Sequence, residues 1–154
     1  MTVYVEASAL WAMYYGDPGG DNVESLVKDF DCATSEYTVL ELARAVSKRV
    51  NAKEISGQEA DALESFILKD INQLKNTKKF KLLGVTWRLL REAYSLIIPN
   101  NLYASDALHL ATATLNGAKL LVVDDFHFTR LKTKFKQPVI LPIATPMKEI
   151  RESL

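Results

Sequence analysis

The alternation of short apolar runs with helix-period segments constrains this chain more than any other feature of its sequence. Val3-Tyr4-Val5, Cys32-Ala33, Lys79-Phe80-Lys81-Leu82-Leu83-Gly84-Val85, Lys119-Leu120-Leu121-Val122-Val123 and Val139-Ile140-Leu141 are too short for ordinary helices and suit buried strands. Between them, apolar residues recur at three- and four-residue spacing. Ser8 to Tyr15 reads as a mostly buried helix stopped by Gly16-Asp17-Pro18-Gly19-Gly20. Val23, Leu26, Val27 and Phe30 mark a second helix after an Asp21/Asn22 start. Thr34 and Ser35 are placed to cap a third, running through Val39 to Val46. Ser56-Gly57-Gln58-Glu59 has capping-box spacing and opens a helix with Ala60, Leu63, Phe66, Ile67, Ile71 and Leu74 on one face. Another is expected from Thr86 to about Ile98, stopped by Pro99-Asn100-Asn101. Ser105-Asp106 starts one that Asn116-Gly117 closes, and Met147 to Leu154 suits a short terminal helix. Strands alternating with helices predict an α/β fold with a largely parallel sheet. No repeat, low-complexity tract or dividing linker interrupts the pattern, so residues 1–154 are expected to form one domain.

Composition removes several function classes. At 154 residues, 48% apolar and 25% charged, the chain has the make-up of a soluble globular domain with a core of its own. Nineteen basic and nineteen acidic residues cancel, leaving no global basic field to capture nucleic acid. The single cysteine, Cys32, has no internal disulfide partner, and no Cys/His cluster has zinc spacing. No apolar run approaches the roughly 20 residues of a membrane span, and Met1 to Glu6 lack the start of a signal peptide. A cytoplasmic protein is the expectation.

In a parallel sheet, a site is expected outside the carboxyl ends of the strands, which makes the positions of the acids informative. Glu6 ends the first strand, Asp124-Asp125 end the strand at Leu120 to Val123, and Asp106 lies in the first turn of a helix. Glu41 interrupts the apolar stretch Val39-Leu40-Glu41-Leu42-Ala43. Ordinary structural roles exist for each: a favourable helix start for Asp106, turn positions for Asp124 and Asp125, and a pairing of Glu41 with Arg44 one turn on. Glu6 fits such a role least, because acids are depleted in strands. Gathered at one cleft, these carboxylates raise one another's pKa, so the fully ionised cluster is costly. Mg²⁺ or Mn²⁺, which prefer carboxylate and water oxygens, resolve that conflict. Such an ion activates water and stabilises the charge that develops in phosphodiester cleavage.

These residues resemble the PIN domain, the family of small metal-dependent nucleases that includes the VapC-type toxins. Val3 to Leu10 is similar to its opening strand, acid and helix. Thr34-Ser35-Glu36 through Glu41-Leu42-Ala43-Arg44-Ala45 is similar to its second motif, with Glu41 at the acidic position. Ser105-Asp106-Ala107-Leu108-His109-Leu110-Ala111-Thr112-Ala113 matches best and places Asp106 as the third acid. Gly117 through Phe128 resembles the fourth motif, with Asp125 as the acid and Phe128 as the trailing aromatic.

The resemblance implies a three-layer α/β domain acting as an Mg²⁺- or Mn²⁺-dependent endoribonuclease, the toxin of a toxin–antitoxin pair. It implies that Glu6, Glu41, Asp106 and Asp125 bind the ion directly or through water and carry catalysis without a protein nucleophile. RNA as substrate, a homodimer and an antitoxin partner follow from the same likeness. Glu6 stands where the family usually has Asp, and Ala7 and Val123 stand where it commonly has a hydroxyl residue. Those departures remove hydrogen bonds near the ion and leave open an alternative, a catalytically weakened PIN-fold module that holds RNA or a protein. A third reading, an α/β domain whose acids are unrelated caps and turns, also stands at this level.

Two basic clusters are candidates for phosphate contact. Lys78, Lys79, Lys81 and Arg88 lie in an acid-free stretch from Lys75 to Arg91, and Arg130, Lys132, Lys134 and Lys136 follow the fourth motif. A solvated basic face is the plainer reading for each lysine. His109 is expected to pack or hydrogen-bond within the domain, His127 to be a surface or partly buried structural residue, and Cys32 to be a small buried hydrophobe. Trp11, Tyr14 and Tyr15 are expected in the core or an oligomer contact rather than as a base-stacking platform.

Overall fold

All five apolar runs become strands: β1 (Val3–Val5), β2 (Cys32–Ser35), β3 (Phe80–Leu83), β4 (Leu120–Val123) and β5 (Val139–Pro142). In the computed structural model, which describes residues 2–154, they form one sheet in the order β3-β2-β1-β4-β5, with every neighbouring pair parallel. Helices connect them: α1 (Ala7–Tyr15), α2 (Gly20–Asp29), α3 (Tyr37–Asn51), α4 (Gly57–Lys75), α5 (Trp87–Asn100), α6 (Ala104–Leu115), α7 (Phe126–Thr129) and α8 (Met147–Glu152). None of them is long and apolar enough to cross a membrane.

Side chains alternate across a strand, and here both faces are covered. Val3, Val5, Leu120 and Val122 pack with residues of α1 to α4, whereas Tyr4, Leu121 and Val123 pack with α5, α6 and Phe128 of α7. Helix–sheet–helix layering explains why β1 and β4 read as continuous apolar runs with no exposed alternate positions. From β1 the chain first winds outward through β2 to β3, then crosses back to β4 and β5. The strand order therefore reverses between β1 and β4, and such a reversal opens a crevice at the strands' carboxyl ends.

Several boundaries differ from expectation. Thr34 and Ser35 are not helix caps; they pair in register with Leu82 and Leu83 of β3. The ladder occupies their backbone, and α3 starts at Tyr37, although the Tyr37 N–H still donates to Ser35 Oγ at 3.2 Å. α6 begins at Ala104, one residue before the expected Ser105-Asp106 start, and Asp106 sits in its first turn as expected. α5 runs through Pro99 and closes at Asn101, whose left-handed φ of 49° ends the helix. Phe66 is exposed, edge-on to Tyr14, while Ala60, Ile67 and Ile71 carry the buried face of α4. The capping box at Ser56 and Glu59 forms as expected.

α1 and α2 meet so closely that one position excludes a side chain. A Cβ on Gly20 would lie 2.5 Å from the Ala12 carbonyl oxygen and 3.1 Å from Met13 Cα, both backbone atoms of α1. Gly57 faces open space. Gly20→Ala is expected to cost about 1–3 kcal/mol, the range for forcing atoms into a packed interface, whereas Gly57→Ala leaves stability unchanged or slightly raised. Urea midpoints of the two variants check this.

Candidate metal centre

Beside the carboxyl ends of β1 and β4 lies an open cleft of about 540 Å³, and Glu6, Glu41, Asp106 and Asp125 all line it. Each is delivered by a different part of the chain.

Glu6 follows β1 directly. Its N–H continues the ladder to the Val122 carbonyl at 3.0 Å, and its side chain caps α1. Ser8 N–H donates to Glu6 Oε2 at 2.7 Å, and the Ser8 hydroxyl donates to the same oxygen. Ser8 Oγ also accepts the Asp124 N–H at 2.8 Å, so one hydroxyl ties the turn after β1 to the turn after β4. Ser8, next along α1 from Ala7, thus gives Glu6 a hydroxyl donor. Burial pushes the Glu6 carboxyl above its ordinary pKa, against the pull of His109 and Ser8.

Asp125 caps α7, its Oδ1 accepting the His127 N–H at 2.5 Å. Its neighbour Asp124 is exposed and does not line the cleft. Asp106 is 9% exposed, and its Oδ2 is buried with no hydrogen-bond partner among the described residues. Its other oxygen is 3.4 Å from Ser105 Oγ. Burial raises the Asp106 pKa, and the charge of Asp125 raises it further.

Glu41 turns inward rather than pairing with Arg44. Its Oε2 accepts a bond of 2.5 Å from Nε2 of His109, a fully buried residue one turn along α6 from Asp106. Tyr4, also fully buried, shares a hydrogen bond of 2.7 Å between its hydroxyl and His109 Nδ1. His109 Nε2 lies 3.7 Å from Glu6 Oε1, and donor atoms of Glu6, Glu41 and His109 all fall within 4.8 Å of one another. Burial alone lowers the histidine pKa, but the bond to Glu41 and the charges of Glu6, Glu41 and Asp106 carry it above its ordinary value. His109 does hydrogen-bond inside the fold, as expected, yet it does so within the acid cluster. Its spacing of three residues from Asp106 puts both on one helix face, the one sequence signal that pointed there.

The basic residues at the cleft are Lys48 and Arg49 of α3, not the two clusters singled out in the sequence. Arg130 is held by the carbonyl oxygens of Asn100 and Asn101, and Lys79 by that of Lys28. Arg49 pairs with Glu54 at 2.5 Å and lies over the Trp11 and Tyr15 rings, which stack 4.8 Å apart. Trp11 also lines the cleft. His127 packs edge-on against Tyr103, and burial pushes the Cys32 thiol up to about 12, which keeps it protonated and unreactive.

The donor set fits a hard divalent cation. Glu6, Glu41 and Asp125 each have one oxygen engaged by a protein donor, and Asp106 brings to the same cleft a buried oxygen with no partner. A buried carboxylate oxygen left without a donor is costly, and a cation held by oxygen ligands removes that cost.

No curated protein sequence matches the chain significantly. Among solved structures, a protein of Pyrobaculum aerophilum superposes with a TM-score of 0.68 at 20% identity, covering 99% of this chain and 90% of that one. A toxin–antitoxin complex from Klebsiella pneumoniae gives 0.62 at 15% identity, with 93% and 98% covered. VapC20 of Mycobacterium tuberculosis, a toxin that cleaves the sarcin–ricin loop, gives 0.61 at 17% identity, with 84% and 94% covered. These likenesses establish the fold. The family model described as PIN domain matches residues 3–134. That span runs from β1 past α7 and takes in every acid lining the cleft, and the chain therefore belongs to the PIN domain family.

Proposed function

We propose that this protein is a divalent-metal-dependent endoribonuclease and the toxin of a toxin–antitoxin pair. One observation carries the reading: Asp106, whose Oδ2 is buried without a hydrogen-bond partner among the described residues, lines the same cleft as Glu6, Glu41 and Asp125. These four residues would hold Mg²⁺ or Mn²⁺, directly or through water. When bound, the ion supplies Lewis-acid activation of water and compensates charge developing on the phosphodiester.

The chain's own residues prepare that chemistry. Ser8 holds one oxygen of Glu6 and so points the carboxylate. Its hydroxyl both donates to Glu6 and accepts from Asp124, so it is no free nucleophile. None is needed when water attacks. Lys48 and Arg49 at the cleft wall suit the phosphates of RNA, which a chain of zero net charge must attract locally. The exposed Trp87, Tyr94 and Ile98 of α5 and Leu40 of α3 favour a homodimer contact. The likeness to a toxin–antitoxin complex favours an antitoxin partner, and a cytoplasmic site of action goes with an RNA target.

Wild-type protein with Mn²⁺ or Mg²⁺ is expected to cleave mixed RNA, and EDTA to stop it. Asp106→Asn is expected to lower the rate at least about a hundredfold, the upper range for disturbing a metal site. Equal cleavage by wild type and variant would identify a contaminating nuclease and sink the enzyme reading. RNA retention without cleavage would favour the binding module instead.

Thermal melts test the ion directly. Without metal at pH 7, Asp106→Asn is expected to be the more stable protein, by about 1 kcal/mol, because it removes a buried, unsatisfied carboxylate. The wild-type pKa is raised in the folded state, so folding takes up a proton and wild-type stability rises as pH falls through that raised value toward the ordinary one. The difference from the variant should narrow over the same window. Mn²⁺ at a hundredfold excess over Kd should stabilise wild type by about 2.7 kcal/mol and the variant far less. Identical melts in all four conditions would leave the acids as caps and turns.

A further inference from the structure

We propose that Tyr4 and His109 form a buried positioning relay that holds Glu41 in place for the cation; the inference rests on the metal-centre reading above. Glu41 reaches the cleft from α3 on a long, partly exposed side chain, and fixing a free glutamate costs rotamer entropy. Here the cost is met before any ion arrives. His109 Nε2–H donates to Glu41 Oε2 at 2.5 Å, a short bond to a charged acceptor, the class of hydrogen bond that holds geometry best. The imidazole is fixed in turn. The Tyr4 hydroxyl hydrogen-bonds Nδ1 at 2.7 Å, which holds the ring with Nε2 turned toward the carboxylate. Both side chains have 0% exposure. The rings of Tyr4 and Tyr37 pack against the imidazole with centroids 5.8 and 6.4 Å away, so it cannot swing. Tyr37 lies one turn before Glu41 on α3. The relay therefore joins β1, α6 and α3, the segments that deliver Glu6, Asp106 and Glu41.

Distance separates this role from direct ligation. Two donor atoms bound to one octahedral ion at 2.0–2.1 Å stand about 2.9 Å apart. The 2.5 Å between His109 Nε2 and Glu41 Oε2 is shorter and is that of a shared proton. His109 thus acts on the cation through Glu41, leaving that carboxylate's other oxygen for the ion.

Calorimetric Mn²⁺ titration of the full chain, without RNA, tests the relay. Tyr4→Phe keeps the buried ring and removes only the hydroxyl; it is expected to weaken Mn²⁺ binding about tenfold, and His109→Leu by tenfold to a hundredfold. His109→Gln, which keeps an N–H donor, should recover part of that loss. Combining His109→Leu with Glu41→Gln should cost no more than Glu41→Gln alone, since both act through one contact. Affinities within twofold of wild type for Tyr4→Phe and His109→Leu, with Asp106→Asn still losing Mn²⁺, would overturn the relay and leave the metal centre standing. A loss with His109→Leu but none with Tyr4→Phe would make His109 a ligand and also overturn it. Wild type that takes up no Mn²⁺ would overturn both. Should His109→Leu fail to fold, Tyr4→Phe and His109→Gln decide by the same thresholds.

Discussion

Parallel pairing of β1 with both β2 and β4 is the constraint on which the remaining architecture depends. It points the carboxyl ends of the central strands to one edge of the sheet, and the reversal of strand order leaves that edge open between β1 and β4. Glu6 and Asp125 emerge on either side of the opening. Asp106 and Glu41 are brought to it by α6 and α3, which pack on opposite faces of the sheet. No local preference assembles this group. It follows from strand order and from helices docked on both faces.

Gathering carboxylates in a half-closed cleft is electrostatically unfavourable, and the protein offsets part of that cost internally. Ser8 gives Glu6 two donors, the α7 backbone gives Asp125 one, and His109 gives Glu41 one. His109 shows that an inorganic counterion is not the sole source of compensation, because its imidazole sits among three acids that raise its pKa. Asp106 is the exception, with an oxygen that is both buried and unanswered. The acids thus divide into three whose orientation the protein has already set and one left in deficit. That uneven satisfaction supports the cation site proposed above, at which Glu6 and Asp125 also serve as helix caps.

Where the sequence was misleading, competition between local and long-range bonding explains it. Thr34 and Ser35 have good cap chemistry, but the ladder to β3 claims their backbone first. The lysines around position 80 and after position 130 look like phosphate contacts in one dimension, yet α3 supplies the cleft's cations, Lys48 and Arg49. Charge clusters are visible along a chain, whereas proximity to a cleft is decided by packing. Ala7 and Val123 carry no hydroxyl, and the one that Ser8 shares with Glu6 and Asp124 could not be assigned until the turns after β1 and β4 were seen to meet.

Periodicity and turn chemistry alone determined the α/β class, the five strands, most helices and the place of Glu6, Asp106 and Asp125 near a strand end or helix start. Those properties are local: they depend on residues within a few positions of one another, and the spacing of apolar side chains encodes them directly. Only the tertiary structure decided that Glu41 faces inward, that His109 lies between Tyr4 and Glu41, and that Asp106 is left without a donor. These are matters of who meets whom across intervals of up to 105 residues, and side-chain pairing at that range is set by the docking of α3 and α6 on the sheet.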